Sequence, residues 1–127
     1  MRLILTALIF AQGLLFIVLG LQFLIMPAEI APDFGLAAPG PQGLAVLRAD
    51  FPALFFVGGG AMIWGAWKRN GDLLLIPALL FGIALFGRCV SAAVDGTAPG
   101  FWTPMAVEAV AVLLTLTASR LLPHRIA

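Results

Sequence analysis

The stretch LILTALIFAQGLLFIVLGLQFLIM, residues 3–26, runs for 24 residues without a charge. At about 1.5 Å per residue, a helix of that length crosses a hydrocarbon core of ~30 Å with room for tilt. It follows Arg2 as a signal peptide would. However, it outruns the about 7–15 residues of a signal core, and no small-x-small cleavage pattern follows it. It reads as a first membrane span that ends at Pro27.

The rest of the chain agrees with that reading. Of 127 residues, 62% are hydrophobic and 10% charged, against about 45–50% and about 25% in a soluble domain. Mean hydropathy is +1.11. Seven basic and six acidic side chains cannot cover a soluble globule of this size. The composition excludes an ordinary soluble enzyme, a disordered chain and a nucleic-acid binder. It leaves an integral membrane protein.

Three further spans follow. Residues 27–43 hold four prolines, three glycines, Glu29 and Asp33, the composition of a loop with room for a short interfacial helix. The second span covers residues 44–67. Its uncharged part, residues 51–67, is 17 residues, the lower limit for crossing. Pro52 fits either a helix that starts at an Asp50 cap or a longer helix kinked at the proline. The third span, residues 73–94, is interrupted by Pro77 and Arg88. The fourth, residues 101–122, is interrupted by Pro104 and Glu108. The connections after the first are short, which favours antiparallel neighbours. The expected fold is all-α, an integral membrane up-down four-helix bundle, in one transmembrane domain over residues 1–127.

The charges orient it. Arg2, Lys68, Arg69, Arg120 and Arg125 fall at the N-terminus, the second connection and the C-terminus, which four spans place on one side. Glu29, Asp33 and Asp95 fall on the other. Positive residues favour the cytoplasm. Both termini are therefore expected to be cytoplasmic, in a bacterial inner membrane, with residues 27–43 outside. Trp64 and Trp67 then sit near the inner interface and Trp102 near the outer one.

Four charges remain inside the spans. Arg88 lies six residues before the outer end of the third span, and Glu108 seven residues after the outer end of the fourth. Both are thus roughly 9–11 Å below the outer boundary. An unpaired charge at that depth costs a few kcal/mol, so opposite charges at equal depth should pair. Arg48 and Asp50 lie near the same boundary and are expected to form a lid over the pair. Arg88, Ser91 and Asp95 share one helix face, and Glu108, Ala111 and Thr115 share another. Gln22 lies at a depth to join them, while Gln12 needs a partner of its own. The cluster Arg48, Asp50, Arg88, Glu108, Ser91 and Gln22 has two readings. One is an outward-facing site for a headgroup, an anion or a proton. The other is a salt-bridge network that sets helix register, for which a balance of two basic and two acidic groups is suited.

Gly58-Gly59-Gly60, with Ala61-x-x-x-Gly65, Ala78-x-x-x-Gly82 and Gly87-x-x-x-Ser91, suits close helix approach. Phe10, Phe16, Phe51, Phe55, Phe56, Phe81 and Phe86 read as packing or lipid-facing residues. Cys89 is the one cysteine, so no internal disulfide forms, and it reads as buried. His124 reads as a solvated tail residue.

The pattern Leu47-Arg48-Ala49-Asp50-Phe51, the three glycines, Gly87-Arg88, and Ser91 followed by Asp95-Gly96 resembles a family of small four-span bacterial membrane proteins known as a domain of unknown function, similar to the DoxX-like group. The resemblance covers nearly the whole chain and implies a four-span bundle. It implies no activity, substrate or cofactor. Here Pro52 stands where a glycine-rich helix start would be expected.

The sequence shows no nucleophile with an adjacent base and no metal-ligand set, so no catalytic residue, metal or cofactor is expected. A four-span exporter would carry an acid in its first span, which is absent here. The expected function is non-enzymatic, an accessory or scaffold subunit of a membrane complex. The alternative is a binder or carrier of a lipid, quinone or other amphipathic molecule at the outer polar cluster. Expected partners are membrane lipids, with a second copy or a membrane complex as protein partner, and no nucleic acid.

Overall fold

The computed structural model describes residues 2–37, 39–97 and 99–123. His124 and Arg125 lie outside the described residues. Among the described residues there is no strand. The long helices are α1 (Arg2–Ile25), α3 (Gly40–Lys68), α4 (Leu75–Val94) and α5 (Trp102–Leu121), and α2 (Pro27–Ile30) is a single turn after α1. Each of the four is long and apolar enough to cross a membrane. The chain is an all-α, multi-pass membrane protein. The helices form a ring in chain order: α1 packs on α3, α3 on α4, α4 on α5, and α5 closes onto α1.

Helix α1 shows how the sequence builds this ring. Leu5, Ile9, Gly13, Phe16, Gly20 and Phe23 recur every three or four residues and are buried. Leu3, Ile4, Leu8, Leu14 and Val18, on the other faces, are exposed apolar side chains. Water would oppose such a surface, whereas hydrocarbon accepts it. Between helices in lipid, close packing takes over the role of apolar burial.

The glycines set that packing. Successive helical residues point about 100° apart, so Gly58, Gly59 and Gly60 face three directions. A methyl group on Gly59 would lie 2.8 Å from the Gly13 carbonyl oxygen of α1. One on Gly58 would lie 2.7 Å from the Phe81 ring of α4, and one on Gly60 would meet nothing within 4 Å. Two of the three glycines therefore let α3 touch both of its neighbours.

Helix α3 is longer than the span expected from residue 44. It starts at Gly40 and runs unbroken through buried Pro52 for 29 residues, about 43 Å. The longer of the two readings of Pro52 is the one adopted. The helix outruns a ~30 Å core, so its first turns, with Arg48 and Asp50, project toward one side. At the other end Arg69 caps α3 in the left-handed region, φ 50°. There Gly71 N–H donates to the Pro123 carbonyl at 2.8 Å and docks the turn onto the end of α5.

The loop between α1 and α3 also folds back. A 3₁₀ turn, Ala31–Phe34, follows α2. It brings Phe34 against Phe23 (centroids 5.1 Å) and Phe55 (6.4 Å). Cys89, expected to be buried, is exposed. It follows Arg88 by one residue and so points about 100° away from it, outside the bundle.

Candidate functional site

At the end of the ring where α1 stops and α5 begins, a cavity of about 370 Å³ opens between the helices. Its lining is largely apolar and aromatic. Phe16 comes from α1, Phe51 and Phe55 from α3, and Phe81 from α4. Phe16 stacks on Phe81 with centroids 4.5 Å apart, and lies 5.8 Å from Phe55. Leu15, Leu19, Leu54 and Val107 complete the walls.

Polar groups share this lining. Arg88 Nε on α4 donates to Glu108 Oε1 on α5 at 2.7 Å. The two side chains are 36% and 12% exposed. This bond uses one of the five guanidinium N–H donors and one carboxylate oxygen. Thr103 and Pro104, one turn above Glu108, form the rim with Gly100. Asp33, from the 3₁₀ turn, reaches the same cavity with Phe34. The lining thus holds one cation and two carboxylates among apolar and aromatic side chains.

The other residues expected here are placed elsewhere. Arg48 Nη1 donates to the Leu24 carbonyl at 2.6 Å. The last carbonyls of a helix have no partner within it, and α1 stops at Ile25 beside the projecting end of α3, so the guanidinium meets one of them. Asp50 is exposed on α3. Ser91 Oγ donates to Asp95 Oδ2 at 3.0 Å, one turn along α4. Gln22 is half-buried on α1 and does not line the cavity. Gln12 finds its partner on α5, donating from Nε2 to the Val107 carbonyl at 3.0 Å. Of the expected cluster, only Arg88 and Glu108 line the cavity.

Asp33 was expected only as an outer-side loop charge, and Phe34 and Thr103 were not singled out from the sequence. Phe34 carried a signal. It is a large apolar side chain in a loop otherwise rich in Pro, Gly and acids, and such a residue needs a surface to cover it. Packing it over Phe23 and Phe55 carries its neighbour Asp33 to the cavity mouth. Thr103 carried none.

Among the described residues, no group of three or more His, Cys, Asp or Glu side chains could hold a metal ion.

A family model described as Domain of unknown function (DUF4345) matches residues 4–119. No curated protein and no solved structure matches the chain. The family match runs from the first turn of α1 to the last turn of α5 and takes in both residues of the ion pair, and the chain belongs to the DUF4345 family.

Proposed function

We propose that the protein binds the head of an amphipathic small molecule, a lipid, a quinone or a related compound, in the cavity between α1, α3, α4 and α5. One observation carries this reading: the cavity joins a phenylalanine and leucine lining to Arg88 and Glu108 on its wall and Asp33 at its mouth. Ligand sites combine an apolar lining with a few convergent polar groups, and about 300 Å³ is the lower end of their size range. A cavity of about 370 Å³ therefore takes a head with a short length of chain. The role is non-enzymatic. The charge distribution supports a bacterial inner-membrane location with cytoplasmic termini and a cavity that opens to the outer leaflet. Kinship with the DoxX-like group belongs to the same proposal and rests on Gly87-Arg88, Asp95-Gly96 and the four-span plan.

The test is extraction of the protein purified from native membranes, followed by mass spectrometry of the released lipids. The expected result is one compound enriched over the bulk membrane and lost from Val107→Phe, which fills the cavity wall. Extracts that match the bulk membrane in both proteins would overturn the reading.

A scaffold or accessory role is favoured by a separate observation. A methyl group built at Gly82 or Gly87 on α4 would meet no described atom within 4 Å, and Ile83 beside them is 70% exposed. Small residues that serve no contact within the chain suit a neighbouring helix, from a second copy or another membrane protein. Crosslinking in native membranes through Cys89, exposed on the same helix, distinguishes this reading by the mass of the product.

A further inference from the structure

At the opposite end of the ring, an open groove of about 440 Å³ runs between the start of α1 and the end of α3. Leu3, Ala7, Phe10, Ala66 and Trp67 form its walls, with Phe10 and Trp67 tilted against each other at 6.3 Å. Two further side chains line it. The Thr6 hydroxyl is engaged by its own helix, donating to the Arg2 and Leu3 carbonyls at 3.1 and 3.0 Å. That leaves two lining side chains with polar hydrogens to offer, the Trp67 indole N–H and the Arg69 guanidinium, of which Arg69 alone is charged. Arg69 makes no ion pair among the described residues. Its left-handed backbone ends α3 at the mouth of the groove.

We infer that this groove holds an acyl chain of an anionic phospholipid, with the lipid phosphate on Arg69. The groove lies on a helix pair long and apolar enough to cross a membrane, and Trp67 on its wall is 74% exposed. An acyl chain is the apolar occupant that a bilayer supplies there. Charge complementarity selects the head. Arg2, Lys68, Arg69 and Arg120 are exposed at this end, and its one described acid, Asp72, is already engaged. Glu29, Asp33, Asp50 and Asp95 lie toward the other end. A zwitterionic head would bring a fifth cation to the four already there. An anionic head meets them without that cost, and basic side chains at a membrane surface favour anionic lipid. The inference is independent of the cavity at the acidic end and of any ligand bound there.

Trp67 provides the readout. A protein carrying Trp64→Phe and Trp102→Phe, reconstituted in phosphatidylcholine vesicles, is titrated with brominated-chain phosphatidylglycerol or brominated-chain phosphatidylcholine. The expected result is half-maximal quenching at a phosphatidylglycerol content at least about fivefold lower than for phosphatidylcholine, fivefold being the affinity factor that one basic residue contributes at an anionic surface. Arg69→Asn, which tolerates the left-handed backbone, should lower the preference about fivefold, and Arg69→Lys should retain it. Ala7→Phe, which fills the groove, should lower quenching by both lipids. Equal quenching by the two lipids in the parent protein would overturn the inference. So would a preference unchanged in Arg69→Asn, or an equal preference at Trp102 in the matching single-tryptophan protein.

Discussion

Arg88 on α4 and Glu108 on α5 form a direct ion pair, Nε to Oε1 at 2.7 Å, on the wall of the cavity. The pair ties two successive helices at equal depth, and its two charges cancel where either alone would be poorly solvated. Removing one partner leaves the other exposed to that cost. Arg88→Ala or Glu108→Ala should each destabilise the protein by about 1–2 kcal/mol, less than the about 3–5 kcal/mol of a fully buried pair because Arg88 is partly exposed. Arg88→Leu combined with Glu108→Leu should be milder than either single change. Thermal unfolding in detergent measures all of them, and additive losses would show that the two charges do not stabilise each other.

The three adjacent glycines of α3 should respond differently to one added methyl group. Gly59→Ala would place its methyl 2.8 Å from a backbone oxygen of α1, which no rotamer can move. A loss of about 1–3 kcal/mol is expected. Gly60→Ala meets open space and should gain up to about 1 kcal/mol from helix propensity. Equal effects at both positions in unfolding experiments would contradict the α1–α3 contact described here.

Arg48 contributes by closing the end of α1. Losing its bond to the Leu24 carbonyl exposes one carbonyl to solvent, so Arg48→Ala should cost about 1 kcal/mol or less. Faster amide exchange near the end of α1 should accompany it. Asp50→Ala, at an exposed position with no role in the cavity lining, should leave both stability and exchange unchanged. A loss of the bound amphiphile from Arg48→Ala alone would restore the idea of a charged lid.

The direction of the cavity is checked by labelling. In a Cys89→Ala background, Thr103→Cys at the rim and Val107→Cys one turn deeper should both react with an impermeant thiol reagent added from the periplasmic side, the deeper one more slowly. Reporter fusions after Gly40 and after Asn70 should report opposite sides of the membrane. Labelling only from the cytoplasmic side would reverse the orientation, and no labelling at either position would mean a closed cavity.

Much of the plan could be read without coordinates, for a physical reason. A bilayer permits few structures, and an uncharged run of 24 residues leaves the backbone no option there except a helix. Three further apolar runs, with short connections after the first, complete an up-down ring. The pairing of Arg88 with Glu108 was legible for a similar reason. Depth along a span is linear in residue number, and a buried charge at a given depth calls for its opposite.

Lateral position was not legible. Arg48 shares a depth with the outer charges yet turns to the end of α1, because the end of a neighbouring helix offers a free carbonyl. Ser91 turns to Asp95 on its own helix. Asp33 sits in a loop whose course depends on where Phe34 finds cover. Residue spacing gives the height and angle of a side chain on its own helix, and says nothing of the rotation of that helix against its neighbours.

The sequence by itself therefore determined the number of spanning helices, their apolar character and the depth of each charge within them, since these follow from composition and from the regular rise of a helix in a medium without water. Only the tertiary structure decided that Arg48, Asp50, Ser91 and Gln22 stay out of the cavity, that Asp33 lines it together with the Arg88–Glu108 pair, and that phenylalanines from three helices share that lining. Those depend on how far apart the helix axes lie and how each is turned. That is set by the fit of Gly13 against Gly59 and of Gly58 against Phe81, contacts between residues far apart in the chain.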